Sequence, residues 1–374
     1  MQVYIKKISN YNFTKIYGFL QETFNKAELW EKLKNCKTVL LKPNLLAAFI
    51  PEKAVTTHPV IIDAVATILK ENNKEVWLGD SPGGSVSLER VLTKTGLKPV
   101  IEKHQIKTVN FNQGKIRNVK SEGINLHLTE NLYKADAIIN LPKYKTHSLM
   151  YFTGCIKNLY GLIPGLKKSD YHREYPDVSD FAKVLFGLYQ EAKQYITFNI
   201  MDGIYGMEGE GPSSGEVRNF GIIFGSYSAS ALDYAAAQMM SFSNNQIDYI
   251  VKSLQSDGLI PSKILLPESW QNFKFQNVKI KKISLLIKFL STSPDFLKKI
   301  FRKLYRYYPD FNNNCRRCNI CVEGCPVKAI TLTKNMKHPE IDYDKCIKCL
   351  CCHEFCPHDA IYINKSLLAK FLIK

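Results

Sequence analysis

Long apolar runs are missing from this chain of 374 residues: no stretch approaches the ~18 unbroken apolar residues of a membrane-spanning helix. The first twenty residues, Met1 to Leu20, mix Lys, Asn and Tyr with apolar residues and hold no uninterrupted apolar segment of the secretory type. Neither G-x-G-x-x-G nor a Walker A pattern occurs, so the readable signatures of dinucleotide and P-loop nucleotide binding are absent. No repeat of about 20–50 residues runs through the body of the chain, which argues against a solenoid. Cysteine is nearly absent too: before residue 315 only Cys36 and Cys155 occur. Thiols so distributed, without a secretory signal, predict a reducing cytoplasm rather than a disulfide scaffold.

The other nine cysteines crowd into the tail. Cys315-x2-Cys318-x2-Cys321-x3-Cys325-Pro326 is followed by Cys346-x2-Cys349-x2-Cys352-x3-Cys356-Pro357. Three thiolates at this spacing wrap one Fe–S cube, and the fourth, before Pro, ligates the other cluster. Cys315, Cys318, Cys321 and Cys356 are thus expected to hold one [4Fe–4S] cluster, and Cys346, Cys349, Cys352 and Cys325 a second. Zinc sites do not need the duplicated third Cys or the trailing Pro. Cys351 reads as a thiol beside the ligands. With the endings Ala329-Ile330 and Ala360-Ile361, this stretch resembles bacterial-type two-cluster ferredoxins, over about Asn312 to Asn364.

Acidic residues are scarce relative to basic ones, 34 against 51, which leaves a formal charge of +17. The excess is Lys-rich and spread widely, and no nucleic-acid motif accompanies it, so nucleic acid is not the expected partner. Residues 274 to 306 are the most lopsided, with ten basic residues and Asp295 as the one acid. Within them Phe296, Leu297, Ile300, Phe301, Leu304, Tyr305 and Tyr308 recur at helical spacing between basic residues. The pattern predicts an amphipathic basic helix over residues 294–308. Its apolar stripe would pack on a neighbouring domain, lie on a membrane surface, or dock an acidic redox protein.

Strand-like and helix-like segments alternate along the first 255 residues. Strands are expected at Lys37–Leu41, Glu75–Leu78, Lys107–Phe111, Ile138–Leu141, Ile196–Met201 and Phe220–Phe224. Helices are expected at Pro59–Glu71, Ser87–Thr95, Val178–Tyr195, Ala229–Met240 and Gln246–Leu254. This order predicts an α/β fold: a mainly parallel layered sheet with helices on both faces, plus a small α+β two-cluster domain. The expected divisions are an α/β domain over 1–270, a connector over 271–310 and the ferredoxin-like domain over 311–374.

Ligands in such sheets bind beyond the carboxyl ends of strands. Lys143-Tyr144-Lys145-Thr146-His147 follows one such end, and on an extended backbone Lys143, Lys145 and His147 share a side. They read either as a solvated basic edge or as a site for an anionic substrate and acid–base work. Cys155, Lys157 and Asn158 follow, Cys155 being either a buried small residue or a reactive thiol. Gly79-Asp80-Ser81-Pro82-Gly83-Gly84 reads as a turn or as an anion cradle. Asp202, Glu208 and Glu210, in a Gly-rich stretch read as a loop, are candidates for a divalent cation or a general base.

Seven short stretches resemble, as a set, the domain-of-unknown-function family three-sixty-two over residues 37 to 235. They are Lys42-Pro43-Asn44, Thr57-His58-Pro59, Gly79-Asp80-Ser81-Pro82, Pro142-Lys143-x-Lys145-Thr146-His147, Lys157-Asn158-x-x-Gly161, Asp202-Gly203 and Glu208-Gly209-x-Gly211-Pro212. The resemblance implies that Lys42, Asn44, Asp80, Ser81, Lys157 and Asn158 bind substrate beside His147, Lys143, Lys145, Asp202 and Glu208. It supplies no reaction. The expected function is a ferredoxin-type iron–sulfur oxidoreductase passing electrons to a small anionic substrate or a bound cofactor, with a flavin or a divalent cation as further candidates. The alternatives are an electron carrier docking a redox protein, and an isomerase or lyase whose clusters are structural.

Overall fold

Val39-Leu40-Leu41 is apolar on both sides, and such a run is stable only inside a sheet covered on both faces. In the computed structural model, which describes residues 1–266, 273–280 and 307–372, this run is indeed central. The strands are β1 (Tyr4–Lys7), β2 (Thr38–Pro43), β3 (Glu75–Asp80), β4 (Lys107–Asn110), β5 (Ile116–Ser121), β6 (Ile124–Thr129), β7 (Ala137–Leu141), β8 (Lys143–His147), β9 (Tyr151–Thr153), β10 (Ile196–Glu208) and β11 (Glu216–Ser226). The main sheet runs β1-β11-β10-β7-β2-β3-β4, with β8 and β9 branching from β10. Neighbours from β10 to β4 are parallel; β1, β11 and β10 are antiparallel. Val39 and Leu41 face a core built on the helices Phe13–Lys26 and Pro59–Glu71. Leu40 faces the opposite core, built on Val178–Ala192, Ala229–Met239 and Asp248–Ser256. Helices on both faces of a mostly parallel sheet is the expected architecture.

Element starts follow local chemistry. Pro59 opens its helix with φ already set, and His58 Nδ1 accepts from Val60 N–H at 3.3 Å. Ser87 caps the helix Leu88–Lys94 by accepting from Arg90 N–H at 3.3 Å.

One reading is corrected. The acidic stretch after Met201 is not a loop but the second half of β10, paired with β11 as far as Glu208↔Glu216. Gly206 there permits close approach of backbone, since a Cβ would strike the Tyr144 carbonyl oxygen. β1, the helix Phe13–Lys26, the hairpin β5–β6 and the pair β8–β9 had no counterpart in the expected elements.

The cysteine-rich unit is framed by β12 (Tyr307–Phe311) and β15 (Ile361–Lys365), paired antiparallel, around the short ladder β13 (Ile330–Thr331) with β14 (Glu340–Ile341). Tyr307 and Tyr308, assigned to the amphipathic helix, lie in β12 instead, Tyr308 opposite Asn364. The rest of that helix, residues 294–306, falls outside the described residues.

The unit packs against the carboxyl ends of the main sheet. Ile320, Cys351 and Phe355 join the core cluster of the Pro59–Glu71 face. The Phe355 ring lies so close to Gly83 that an alanine Cβ there would come within 2.5 Å of it. Polar contacts flank this wedge: Lys53 Nζ–Asp359 Oδ2 at 2.7 Å, Ser169 Oγ–H to Gly324 O at 3.2 Å and Ser213 Oγ–H to His353 O at 3.3 Å.

Candidate functional site: a lysine-lined cavity under the cysteine loops

β2, β3 and the β7–β8 run end side by side, and residues at and just past these ends line one cavity of about 60 Å³. That is room for a few waters or one small anion. Asn44, Asp80, Ser81, Lys145, His147, Lys157 and Asn158 all reach it, together with Thr153, Tyr160, Lys168 and His172. The roof is Glu354 and Phe355, from the helix Cys351–Phe355 of the cysteine-rich unit.

The lysines fall into two kinds. Lys42 Nζ is 2.8 Å from Asp80 Oδ1, and Lys143 Nζ is 2.8 Å from Asp202 Oδ2, both pairs fully inside the protein. Asp80 also accepts from Leu45 N–H at 2.8 Å. Gly161 makes room for the first pair, because any Cβ would collide with the Asp80 carboxylate and the Lys42 ammonium. Lys145 and Lys168 are as deeply buried but reach only neutral acceptors: Val55 O at 2.7 Å for Lys145 and Ser81 Oγ at 2.6 Å for Lys168. Burial, then the nearby Lys143 charge, pushes Lys145 down to about 7. Burial likewise brings Lys168 down to about 7, against the raising influence of Asp80. Lys157 is lowered by burial as well, and lies over the Tyr160 ring at 4.8 Å.

His147 presents a defined donor. Its Nδ1 accepts from Leu149 N–H at 3.1 Å and Met150 N–H at 3.2 Å, so the ring proton of the neutral form sits on Nε2. Burial, reinforced by Lys157, holds the imidazole well below its usual range, so it is neutral at pH 7. Nε2 is 3.3 Å from Glu354 Oε1 but makes no hydrogen bond, and Thr153 Oγ1 is also unpartnered. Buried polar atoms without partners are costly unless something else completes them. Lys145, Lys157 and Lys168 thus stand beside two unpartnered polar atoms, with the Glu354 charge acting on Lys145 and Lys157 across the cavity.

The cysteine loops fit iron–sulfur ligation. Both copies adopt the same backbone, with positive φ at Arg317, Asn319 and Lys328 and again at Lys348, Leu350 and Asp359. Ala329 N–H donates to Cys325 Sγ at 3.2 Å and Ala360 N–H to Cys356 Sγ at 3.3 Å. These are the alanines of the two Cys-Pro-x-x-Ala endings, and N–H···S bonds of this kind tune cluster sulfurs. Burial and the neighbouring Cys356, Cys318 and Cys315 thiols push Cys321 up to about 12. Cys352 is raised by burial and by Cys349, with Cys321, Cys346 and Cys325 adding to it. Each loop's last cysteine thus stands among the other loop's thiols, the crossed arrangement the spacing predicts. Bare thiols crowded this way disfavour the thiolate; ligated iron stabilises it. Cys351 is buried against the α/β core, beside the ligand Cys349.

Lys42, Lys143, Asp202, Glu208 and Glu210, all expected at the site, are not among the residues that line the cavity. Lys143 and Asp202 neutralise each other, with the Tyr11 hydroxyl donating to Asp202 Oδ1 at 2.9 Å and accepting from Lys143 at 2.7 Å. The β8 backbone is extended as expected, but the irregular pairing of β8 with β10 sets Lys143 against Asp202 and leaves Lys145 and His147 at the cavity. Glu208 is held by Arg218 at 2.8 Å, and Glu210 pairs with Lys365. A divalent cation among Asp202, Glu208 and Glu210 is therefore not supported: each carboxylate already has a cation. Among the described residues no His, Cys, Asp or Glu trio is gathered around one ion. Cys155 is fully buried, its N–H donating to Asp233 Oδ1 at 2.6 Å, which is the bland reading of that thiol. Glu354, Phe355, Thr153, Tyr160, Lys168 and His172 were not singled out as site residues. No spacing announces them, because they reach the cavity through the docking of one unit on the other.

The family model for a domain of unknown function, DUF362, matches residues 39–238. The chain belongs to this family. A 4Fe-4S dicluster domain model matches residues 314–360, so the tail of this DUF362 protein is an iron–sulfur module. A curated relative, the thylakoid-associated protein sll1697 of Synechocystis, is 33% identical over 204 residues, covering 54% of this chain. The chain spans 62% of that protein's length. Two solved structures are more distant. A structural-genomics protein from Thermotoga maritima gives a TM-score of 0.39 at 14% identity, covering 68% of this chain and 61% of its own. The lactate racemase apoprotein of Thermoanaerobacterium thermosaccharolyticum gives 0.39 at 13% identity, covering 56% and 51%. No helix among the described residues is long and apolar enough to cross a membrane.

Proposed function

We propose that this DUF362 protein is an oxidoreductase in which two [4Fe–4S] clusters deliver electrons to a small oxyanion-bearing substrate, a carboxylate or phosphate of a few heavy atoms. The observation that carries the reading is the double use of one helix. Cys351–Phe355 supplies the ligand Cys352, and two of its other side chains, Glu354 and Phe355, close the lysine cavity. The clusters supply single electrons; the chain's own residues do the rest. Lys145, Lys157 and Lys168 neutralise the anion. His147 Nε2–H, which has no hydrogen-bond partner in the cavity, donates a hydrogen bond to the substrate atom that gains electron density, as a neutral electrophile. Phe355 excludes water.

The test begins with anaerobic purification, where about eight irons and eight sulfides per chain are expected. Dithionite-reduced protein, freed of excess reductant, is then mixed with a panel of small carboxylates and phosphates while cluster reoxidation is followed by EPR. At least one compound should reoxidise the clusters, and Lys145→Met should slow that reaction. Reduced clusters that no anion in the panel reoxidises would overturn the oxidoreductase reading. Turnover of an anion at equal rate with clusters held oxidised would instead assign them a structural role. Association of residues 294–306 with a membrane surface, which the name of the Synechocystis relative supports, predicts flotation with liposomes.

A further inference from the structure

The two clusters have unlike surroundings. Cys349 packs against the α/β core beside Cys351 and Phe355, and the charges of Cys351 and Cys349 both reach the Tyr160 phenol at the cavity. The set Cys346, Cys349, Cys352 and Cys325 is therefore the inner one. In the other set, Cys315, Cys318, Cys321 and Cys356, one member is open to solvent: Cys318 is the exposed cysteine of the chain.

The surface around Cys318 is basic. Arg316 and Arg317 lie between Cys315 and Cys318, and both are exposed. Arg317 is pinned by donating to Thr333 O at 2.9 Å and Lys334 O at 3.0 Å, neutral acceptors that leave its charge uncompensated. His358 follows Cys356 by two residues, and Arg90 sits on the helix Leu88–Lys94, whose Leu88, Val91 and Leu92 share a core cluster with Ile320, two residues past Cys318. Arg90 is an exposed residue of the α/β domain, so the basic face spans both units. Of the acids close in sequence, Asp359 is paired with Lys53 at 2.7 Å, and exposed Glu323, which accepts from neutral Asn319 at 3.4 Å, is outnumbered by the three arginines.

We propose that this face, Arg90, Arg316, Arg317 and His358 around the exposed Cys318, is the docking surface for a small acidic one-electron carrier protein. The inference rests on the clusters acting as an electron relay, and gives that relay a direction. Cys315, Cys318, Cys321 and Cys356 would hold the cluster that takes one electron from the reduced carrier, and Cys346, Cys349, Cys352 and Cys325 would hold the one between it and the site under Phe355. No bond forms or breaks in the transfer. Opposite charge at such a rim raises the encounter rate and makes it salt-dependent, while a transient complex needs little apolar area. A nucleic acid would also find positive charge here, but would gain nothing from an exposed cluster ligand at the centre of the patch.

The test uses the full-length holoprotein and, as probe, a plant-type [2Fe–2S] ferredoxin, an acidic one-electron carrier. Binding is measured by calorimetry and cluster reduction by stopped flow, each at low and high salt. The double variant R316E/R317E is expected to weaken binding and slow reduction at least about tenfold, and R90E, on the other unit and outside the cysteine loops, by several-fold. Iron content and EPR spectra should match wild type, and reduction by neutral photoreduced deazariboflavin should be unchanged. Wild-type affinity in both R90E and the double variant would overturn the proposal, as would tighter binding of a DNA duplex than of ferredoxin at equal salt. Lys145→Met leaves the binding readout untouched, so failure at the cavity and failure at this face are distinguishable.

Discussion

At the residue scale Lys42 and Lys145 make opposite predictions, although both sit near strand ends and both are fully enclosed. Lys42 neutralises Asp80, and removing it strands a buried carboxylate; Lys42→Met should cost about 3–5 kcal/mol in denaturant unfolding, as broken buried pairs do. Lys145 reaches no carboxylate, so Lys145→Met relieves a burial cost. Its thermal stability should be unchanged or higher, while affinity for small anions falls at least about tenfold. A Lys145→Met protein that unfolds as readily as Lys42→Met would mean that both lysines are structural. The pH dependence has its origin in the same burial. Lys145 and Lys168 lie at about 7 in the folded protein against an ordinary 10.5. Between those values the folded state binds fewer protons than the unfolded one, so these two groups make stability rise with pH. A bound anion favours the charged ammonium and raises the lysine pKa. Binding above pH 7 should therefore take up protons, and affinity should decline as pH climbs. Calorimetry in buffers of different ionisation enthalpy counts that uptake, and zero uptake at pH 8 would remove these lysines from the anion's contacts.

At the element scale, the wedge of Phe355 against Gly83 and Gly84 sets how the two units meet. Burying a phenyl ring is worth about 1.5–3 kcal/mol, a large share of a small interface. Gly83→Ala places a methyl against that ring and should loosen the helix Cys351–Phe355 without touching a ligand. Hydrogen exchange at residues 351–355 should quicken, with iron content unchanged; unaltered exchange there would show that the ring simply rotates away. The sequence foretold elements unevenly, and the reasons are physical. Periodicity located Pro59–Glu71 to the residue, because a proline start and an apolar stripe coincide there. It missed the hairpin β5–β6, whose β5 is largely exposed and so lacks a hydrophobic signal. It misread β10 past Met201, since glycines that admit neighbouring backbone look, in one dimension, like glycines that turn a chain.

At the scale of the whole molecule, what could be read from the sequence was each unit's own chemistry, and what could not was their meeting. Duplicated cysteine spacing is a local pattern, so the ligands were legible one by one. Lys145 and His147 were legible as a strand-end pair. Glu354 and Phe355 were hidden because nothing local distinguishes a loop residue facing solvent from one facing another domain. The cavity is a product of docking, and docking depends on a unit too small to fold on apolar area alone. Its buried cluster consists of Phe311, Ile330, Ala360, Ile361 and three cysteines, a core that needs iron to complete it. Removing the metal should therefore act at two places. With iron chelated anaerobically, residues 307–365 should lose hydrogen-exchange protection, while β2, β3 and β7, held in a sheet covered on both faces, keep theirs. The cavity then loses its roof, and the affinity for a small anion should drop, because water re-enters around Lys145, Lys157 and Lys168 and weakens each charge interaction. Reconstitution with iron and sulfide should restore both readouts together. Full anion affinity in the iron-free protein would show that the lysine cavity is complete without the iron–sulfur module, and would separate the two activities that the helix Cys351–Phe355 joins.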